Sequence, residues 1–193
     1  MISAILLAAG QSQRMKGQNK LLKHYKGKYL INHILNTLVK SKVNNIFLVL
    51  GFQNLKVRKI IIKSKKIQCI YNKKFKSGLS SSIQAGLNKI SKKNIGFLIV
   101  HADMPLISKG IINILCSVVK NKDKEIFVPV HKKKLGNPLA FKYSMIKSLK
   151  KIKGDRGAKK LIKSNKSKVQ FIKMKSKSIL IDFDRLKDFP STT

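Results

Sequence analysis

The sequence predicts an α/β fold with a mostly parallel sheet covered by helices on both faces. Three observations predict it. Short apolar runs rich in β-branched residues recur at Ile2 to Ala8, Asn45 to Leu50, Ile95 to Val100 and Ile126 to Val130, each bounded by Gly, Pro, Asn or charge, as buried strands are. Between them lie segments with helical spacing, such as Leu30, Ile31, Ile34, Leu35, Leu38 and Val39, or Ile111, Ile112, Leu115, Val118 and Val119. No internal repeat and no Pro- or Gly-rich linker interrupts this alternation, so residues 1–193 read as one α/β domain.

The minor elements follow the same logic. A short strand is expected at Lys66 to Tyr71, helices at Ser81 to Ile90 and Ala158 to Lys163, and a late strand or sheet edge at Val169 to Met174. Ser108, before Lys109-Gly110-Ile111, is the expected N-cap of the helix that follows the third apolar run.

A chain of 193 residues fits one domain that buries roughly 70% of its unfolded surface. No apolar run approaches the ~20 residues of a membrane span. The apolar start at Ile2 lacks a basic flank and runs into Gly10-Gln11-Ser12-Gln13-Arg14, not into a small-residue cleavage site, so a cytoplasmic protein is expected. Cys69 and Cys116 lie in unrelated apolar contexts with no neighbouring His or second Cys, which excludes a disulfide framework and a zinc motif.

The charge is lopsided: 43 Lys and Arg stand against 7 Asp and Glu. The excess is Lys spread from end to end, without an Arg-rich arm or basic tail, so it reads as a chain-wide bias and no nucleic-acid partner is expected. The scarcity of carboxylates makes each one informative.

In open α/β sheets ligands collect beyond the carboxyl ends of the strands. The first strand ends in Leu7-Ala8-Ala9-Gly10, followed by Ser12, Arg14 and Lys20. Small residues let backbone N–H groups approach a phosphate, and Arg14 and Lys20 supply charge-assisted contacts. Neither a Walker A loop nor a Gly-x-Gly-x-x-Gly fingerprint is present, and a plain strand-to-helix turn is the competing reading. The third apolar run ends in Asp103-Met104-Pro105, where the carboxylate suits Mg²⁺ shared with substrate phosphates, or a simple turn or cap. Asp182 and Asp184 follow the apolar Ile179-Leu180-Ile181; on a strand their spacing points both carboxylates to one face, able to complete a metal site with Asp103. Lys neighbours are the alternative compensation for that pair. Gly78, Ser80 and Ser81 lead into a helix N-terminus suited to base, ribose or phosphate recognition, or serve only as its cap.

In chain order these segments resemble the cytidylyltransferases that attach CMP to molybdopterin (MocA-like), within the wider MobA-like nucleotidyltransferase superfamily. The resemblance rests on Leu7-Ala8-Ala9-Gly10 with Ser12, Arg14, Met15 and Lys20, on Gly78-Leu79-Ser80-Ser81-Ser82, and on Asp103-Met104-Pro105. It continues through Gly136-Asn137-Pro138, Gly154-Asp155-Arg156-Gly157-Ala158 and Asp182-Phe183-Asp184 with Asp188-Phe189. It implies a Rossmann-like three-layer sandwich and a single nucleotidyltransferase domain. Leu7 to Gly10, Ser12, Arg14, Lys20, Gly78, Ser80 and Ser81 would bind the nucleotide. Lys20 and Asp103 would act in catalysis, Asp103, Asp182 and Asp184 would hold Mg²⁺, and Asn137, Pro138 and Asp155 would form the acceptor pocket. Ala9 resembles the cytidylyl branch, where the guanylyl branch carries Gly.

The implied reaction transfers CMP from CTP to molybdopterin and expels pyrophosphate. CTP and the molybdenum cofactor are then the substrates, and a molybdenum hydroxylase or its chaperone receives the product. The departures are Lys16 and Ala102 where the family has Gly, Asn137 for His, and Arg185-Leu186 for Thr-Pro. Asn137 removes a ring near the implied acceptor pocket. Two other readings stay open: the same chemistry on a sugar phosphate or another phosphorylated metabolite, and a non-catalytic basic nucleic-acid-binding protein.

Overall fold

The computed structural model describes residues 1–15, 17–154 and 159–189. Its strands are β1 (Ile2–Ala8), β2 (His24–Tyr25), β3 (Lys28–Tyr29), β4 (Asn45–Leu50), β5 (Ile67–Tyr71), β6 (Gly96–His101), β7 (Ile126–His131), β8 (Lys134–Leu135), β9 (Leu139–Lys142) and β10 (Val169–Lys173). Its helices are α1 (Leu30–Val39), α2 (Asn54–Ile60), α3 (Leu79–Leu87), α4 (Lys109–Asn121), α5 (Ile146–Lys150) and α6 (Lys159–Ser164).

The sheet runs β10-β7-β9-β6-β1-β4-β5, with β8 paired to β7. Strands β6, β1, β4 and β5 are parallel, as are β10 and β7, while β9 inserts antiparallel between β6 and β7. The expected mixed α/β, mostly parallel sheet is what forms. The antiparallel β9 escapes sequence reading because the four-residue run Leu139–Lys142 carries no period of its own.

Strand β1 shows why the central strands are apolar throughout. Ala4, Leu6 and Ala8 pack with α1 and α4 residues such as Leu35 and Leu115. Ile5, Leu7 and Ala9 pack with Ile83 of α3 and Leu149 of α5 on the opposite face. Side chains alternate across a strand, so one covered on both faces cannot spare a polar position. Ser3 is the exception on β1: it is fully buried, and its hydroxyl is satisfied by donating to Asn94 Oδ1 at 2.6 Å.

Helix α3 begins at Leu79, two residues before the expected start. Gly78 at φ 93° makes the turn into it, a conformation L residues seldom adopt, so Ser80 and Ser81 fall inside the first turn and do not cap it. Ser108 caps α4 as expected, accepting from Ile111 N–H at 3.3 Å. No helix among the described residues is long and apolar enough to cross a membrane.

At the amino end of β6, Gly96 has no room for a side chain. A Cβ there would stand 2.3 Å from the Phe141 carbonyl oxygen of β9 and 2.5 Å from Val119 Cγ1 of α4. Backbone cannot yield as a flexible side chain can, so Gly96→Ala is expected to cost about 1–3 kcal/mol. The check is a lower denaturant midpoint at an unchanged m value.

Candidate active site

The strand order reverses around β1. The chain leaves β1 toward β4 and β5, then returns through α3 to β6 on the other side, opening a crevice at the carboxyl ends. A cavity of about 440 Å³ lies there, within the ~300–1,000 Å³ usual for small-molecule sites. Its walls are Leu7 to Arg14, Lys20, Leu21, Phe75, Lys76, Gly78, Leu79, Ser82, His101 to Asp103, and Asp184.

The loop after β1 turns at Ser12, whose φ of 52° leads into a 3₁₀ turn, Gln13–Met15. Ser12 Oγ accepts from the Lys20 N–H at 3.2 Å, so this hydroxyl braces the next loop. Ala9 is only 3% exposed, and its methyl group lies where a side chain on Gly51 would collide with it. Lys20 opens a second 3₁₀ turn, Lys20–Leu22, pinned by the buried Leu21.

The Lys20 ammonium reaches across the crevice. It donates to Asp103 Oδ2 and to Asp184 Oδ1, each at 2.5 Å, and Arg14 donates to Asp184 Oδ2 at 2.7 Å. These pairs join residues up to 170 positions apart in the chain.

The acidic segment arrives as irregular backbone, not as the strand the apolar Ile179-Leu180-Ile181 run suggested. Ile179 and Leu180 form part of a 3₁₀ turn instead. The Phe183 N–H donates to the Asp103 carbonyl at 2.8 Å, which docks this segment against the turn after β6. Phe183 itself is buried edge-on against Tyr25 and Phe189. With Phe183 facing the core, its two neighbours face outward, so the carboxylates still share a side. Asp188 Oδ2 accepts from the N–H groups of Asp184 and Arg185 at 2.8 and 2.7 Å, holding the turn.

Asp103, Asp182 and Asp184 each bring one carboxylate oxygen within 4.8 Å of the others. In a chain with 7 acidic residues and a net charge of +36, the convergence of three of them marks this edge of the crevice. Asp103 Oδ1 is buried and has no hydrogen-bond partner among the described residues, a costly state for a charged oxygen.

The electrostatics follow from that crowding. Burial alone would lower the Lys20 pKa, but Asp103 and then Asp184 raise it above the ordinary Lys value, so it stays charged. Burial, together with repulsion from Asp103 and Asp184, raises Asp182. Burial pushes Asp184 upward as well, yet the hydrogen bond and charge of Lys20, with Arg14 and Arg185, bring it below the usual carboxylate range.

The other expected residues divide. Gly78 lines the cavity; Ser80 and Ser81 do not. Ser81 accepts from Asn72 Nδ2 and donates toward the carbonyls of Lys74 and Gly78. Ser80 is buried, and its N–H donates to the Gly154 carbonyl. Ser82, one turn into α3, faces the cavity in their place, a position readable only from the true helix start. Asn137 and Pro138 also lie off the cavity wall. They directly precede β9, whose register with β6 ends at Ile99–Leu139, and the Asn137 N–H donates to the Ile179 carbonyl. Asp155 lies outside the described residues. Phe75 and Lys76 line the cavity without a sequence signal that marked them, and His101, in the segment that carries Asp103, lines it as well.

Known proteins bear on this arrangement. A probable molybdenum cofactor guanylyltransferase of Clostridium perfringens is 32% identical over 139 residues, covering 69% of this chain and 61% of that protein. An adenosylcobinamide-phosphate guanylyltransferase of Methanocaldococcus jannaschii is 30% identical over 146 residues, covering 71% and 72%. The chain spans only 28% of a 2-C-methyl-D-erythritol 4-phosphate cytidylyltransferase of Dehalococcoides mccartyi, to which it is 38% identical over 63 residues. The fold superposes on the crystal structure of Rv0371c from Mycobacterium tuberculosis with a TM-score of 0.86 at 22% identity, covering 97% of this chain and 94% of that one. A structure of Rv0371c in complex with manganese gives 0.80 at 21% identity, covering 97% and 95%. The model of the MobA-like NTP transferase domain matches residues 4–169, and the chain belongs to that family.

Proposed function

We propose that the chain is a metal-dependent nucleotidyltransferase that moves CMP from CTP to molybdopterin and releases pyrophosphate. The observation that carries the transferase reading is the convergence of three carboxylates and Lys20 at the edge of the Gly10 cavity. The CTP and molybdopterin assignments rest on the resemblance at Ala9 and along the motif order.

The donor set suits a hard divalent cation such as Mg²⁺: carboxylate oxygens only, one of them buried and unpartnered. Asp103, Asp182 and Asp184 would hold it. Such an ion, when bound, offsets the charge that develops on triphosphate oxygens.

The protein's part is positioning and charge. Backbone N–H groups of the loop from Ala9 to Ser12 cradle the triphosphate, and Lys20 and Arg14 neutralise it. An acceptor phosphate oxygen, already ionised near neutral pH, attacks the α-phosphorus. The new P–O bond forms as the α–β bridging bond breaks, and pyrophosphate leaves with the electron pair. No protein nucleophile is required, so neither cysteine takes part. Cys116 is held protonated, its pKa pushed by burial to about 11.

A thermal-shift comparison of CTP, GTP, ATP and UTP with Mg²⁺ tests the donor, with CTP expected to raise the melting temperature most. Pyrophosphate release with CTP is then measured against molybdopterin and a panel of sugar phosphates. Molybdopterin-dependent release is the expected result; release with a sugar phosphate alone moves the acceptor, and no release with any triphosphate sinks the enzyme reading.

A further inference from the structure

We propose that Asn19, which lies outside the cavity wall, is the positioning residue that sets the Lys20 ammonium in register with the nucleotide loop. The proposal rests on the nucleotidyltransferase reading.

Asn19 is 2% exposed and uses both ends of its amide. Its Oδ1 accepts from the Leu21 N–H at 3.0 Å, capping the turn that carries Lys20. Its Nδ2 donates to the Phe52 carbonyl at 3.1 Å. The Phe52 N–H in turn donates to the Ala9 carbonyl at 3.3 Å. One peptide segment after β4 is thus bonded on one side to the nucleotide loop and on the other, through Asn19, to the Lys20 turn.

Gly51 makes this junction tight. A Cβ there would lie 2.6 Å from Phe75 Cβ and 2.8 Å from both Ala9 Cβ and the Ala9 carbonyl oxygen. Only glycine allows the chain ends of β1 and β4 and the turn bearing Phe75 to meet at one point.

The mechanical consequence concerns Lys20. A three-residue 3₁₀ turn has little stability of its own, and a lysine side chain with four rotatable carbons transmits any tilt of that turn to its ammonium. The position of that charge against the phosphates depends on the Asn19 bridge, because a displacement of about 1 Å can cost on the order of 10²-fold in rate.

Asn19→Ser keeps a cap for Leu21 but is too short to reach Phe52; Asn19→Asp keeps the acceptor and loses the donor. Val119→Ala, a buried change in α4 beside Gly96, serves as the control that lowers stability away from the site. The readouts are the rise in melting temperature on adding CTP with Mg²⁺, and kcat at saturating acceptor. Both Asn19 variants are expected to lose most of the CTP response and to lower kcat by about 10- to 100-fold, with acceptor KM unchanged. Val119→Ala should retain both properties. If either folded Asn19 variant matches Val119→Ala within twofold in kcat and responds fully to CTP, the positioning role is overturned. A wild-type chain without a CTP response fails earlier and removes the parent reading as well.

Discussion

Asp103→Asn is expected to lower nucleotidyl transfer by about 10³-fold while leaving the fold intact. The substitution keeps the volume of a side chain that is largely enclosed, and it retains an oxygen that can accept from Lys20. Lys20 keeps its second partner, Asp184, at 2.5 Å. The loss of stability should therefore stay near ~1 kcal/mol, a fall of roughly 2–4 °C in melting temperature. What disappears is the negative charge at Asp103 Oδ1, a buried carboxylate oxygen without a hydrogen-bond partner among the described residues. Pyrophosphate release and a thermal melt of the same preparation check both halves. Wild-type turnover by the variant would remove Asp103 from the reaction.

Lys20→Ala is expected to move activity and metal affinity in opposite directions. Lys20 sits between Asp103 and Asp184 and acts there as an internal cation. An incoming divalent ion must compete with it for the same oxygens. With alanine the carboxylates keep their repulsion and lose their counter-charge, so Mn²⁺ should bind more tightly, by at least about tenfold, since one charge a few ångströms away is worth ~1 kcal/mol in bulk water and ~4 kcal/mol near a protein surface. On the proposed function the triphosphate would lose a charge-assisted partner, and kcat/KM for CTP should fall by about 10²-fold. Isothermal titration with Mn²⁺ and steady-state kinetics give the two numbers. Weaker Mn²⁺ binding together with unchanged CTP kinetics would contradict both roles given to Lys20.

Much of this site was visible as separate residues. Lys20, Asp103 and the Asp182–Asp184 pair stood out because carboxylates are scarce in so basic a chain and because two of these segments follow apolar runs. Their mutual distance was not visible, since sequence spacing says nothing about contacts across 83 or 164 positions. Ser80 and Ser81 show the opposite case, since neither lines the cavity. Their chemistry fits a phosphate, but the Ser81 hydroxyl bonds Asn72 and the carbonyls of Lys74 and Gly78, and the positive φ of Gly78 starts the helix early enough to put both serines in its first turn. Asn19 and Gly51 carried no signal, because each acts through backbone groups that only a folded chain brings near.

The sequence by itself determined the layered α/β architecture, because strands buried on both faces must be apolar at nearly every position and their covering helices must repeat near 3.6 residues. It also determined which loops carry charge at the strand ends. The tertiary structure decided that three distant carboxylates share one side of the crevice with Lys20 between them. The physical reason is packing: Phe183 buries against Tyr25 and Phe189, its N–H closes on the Asp103 carbonyl, and the acidic neighbours are left facing the cavity edge.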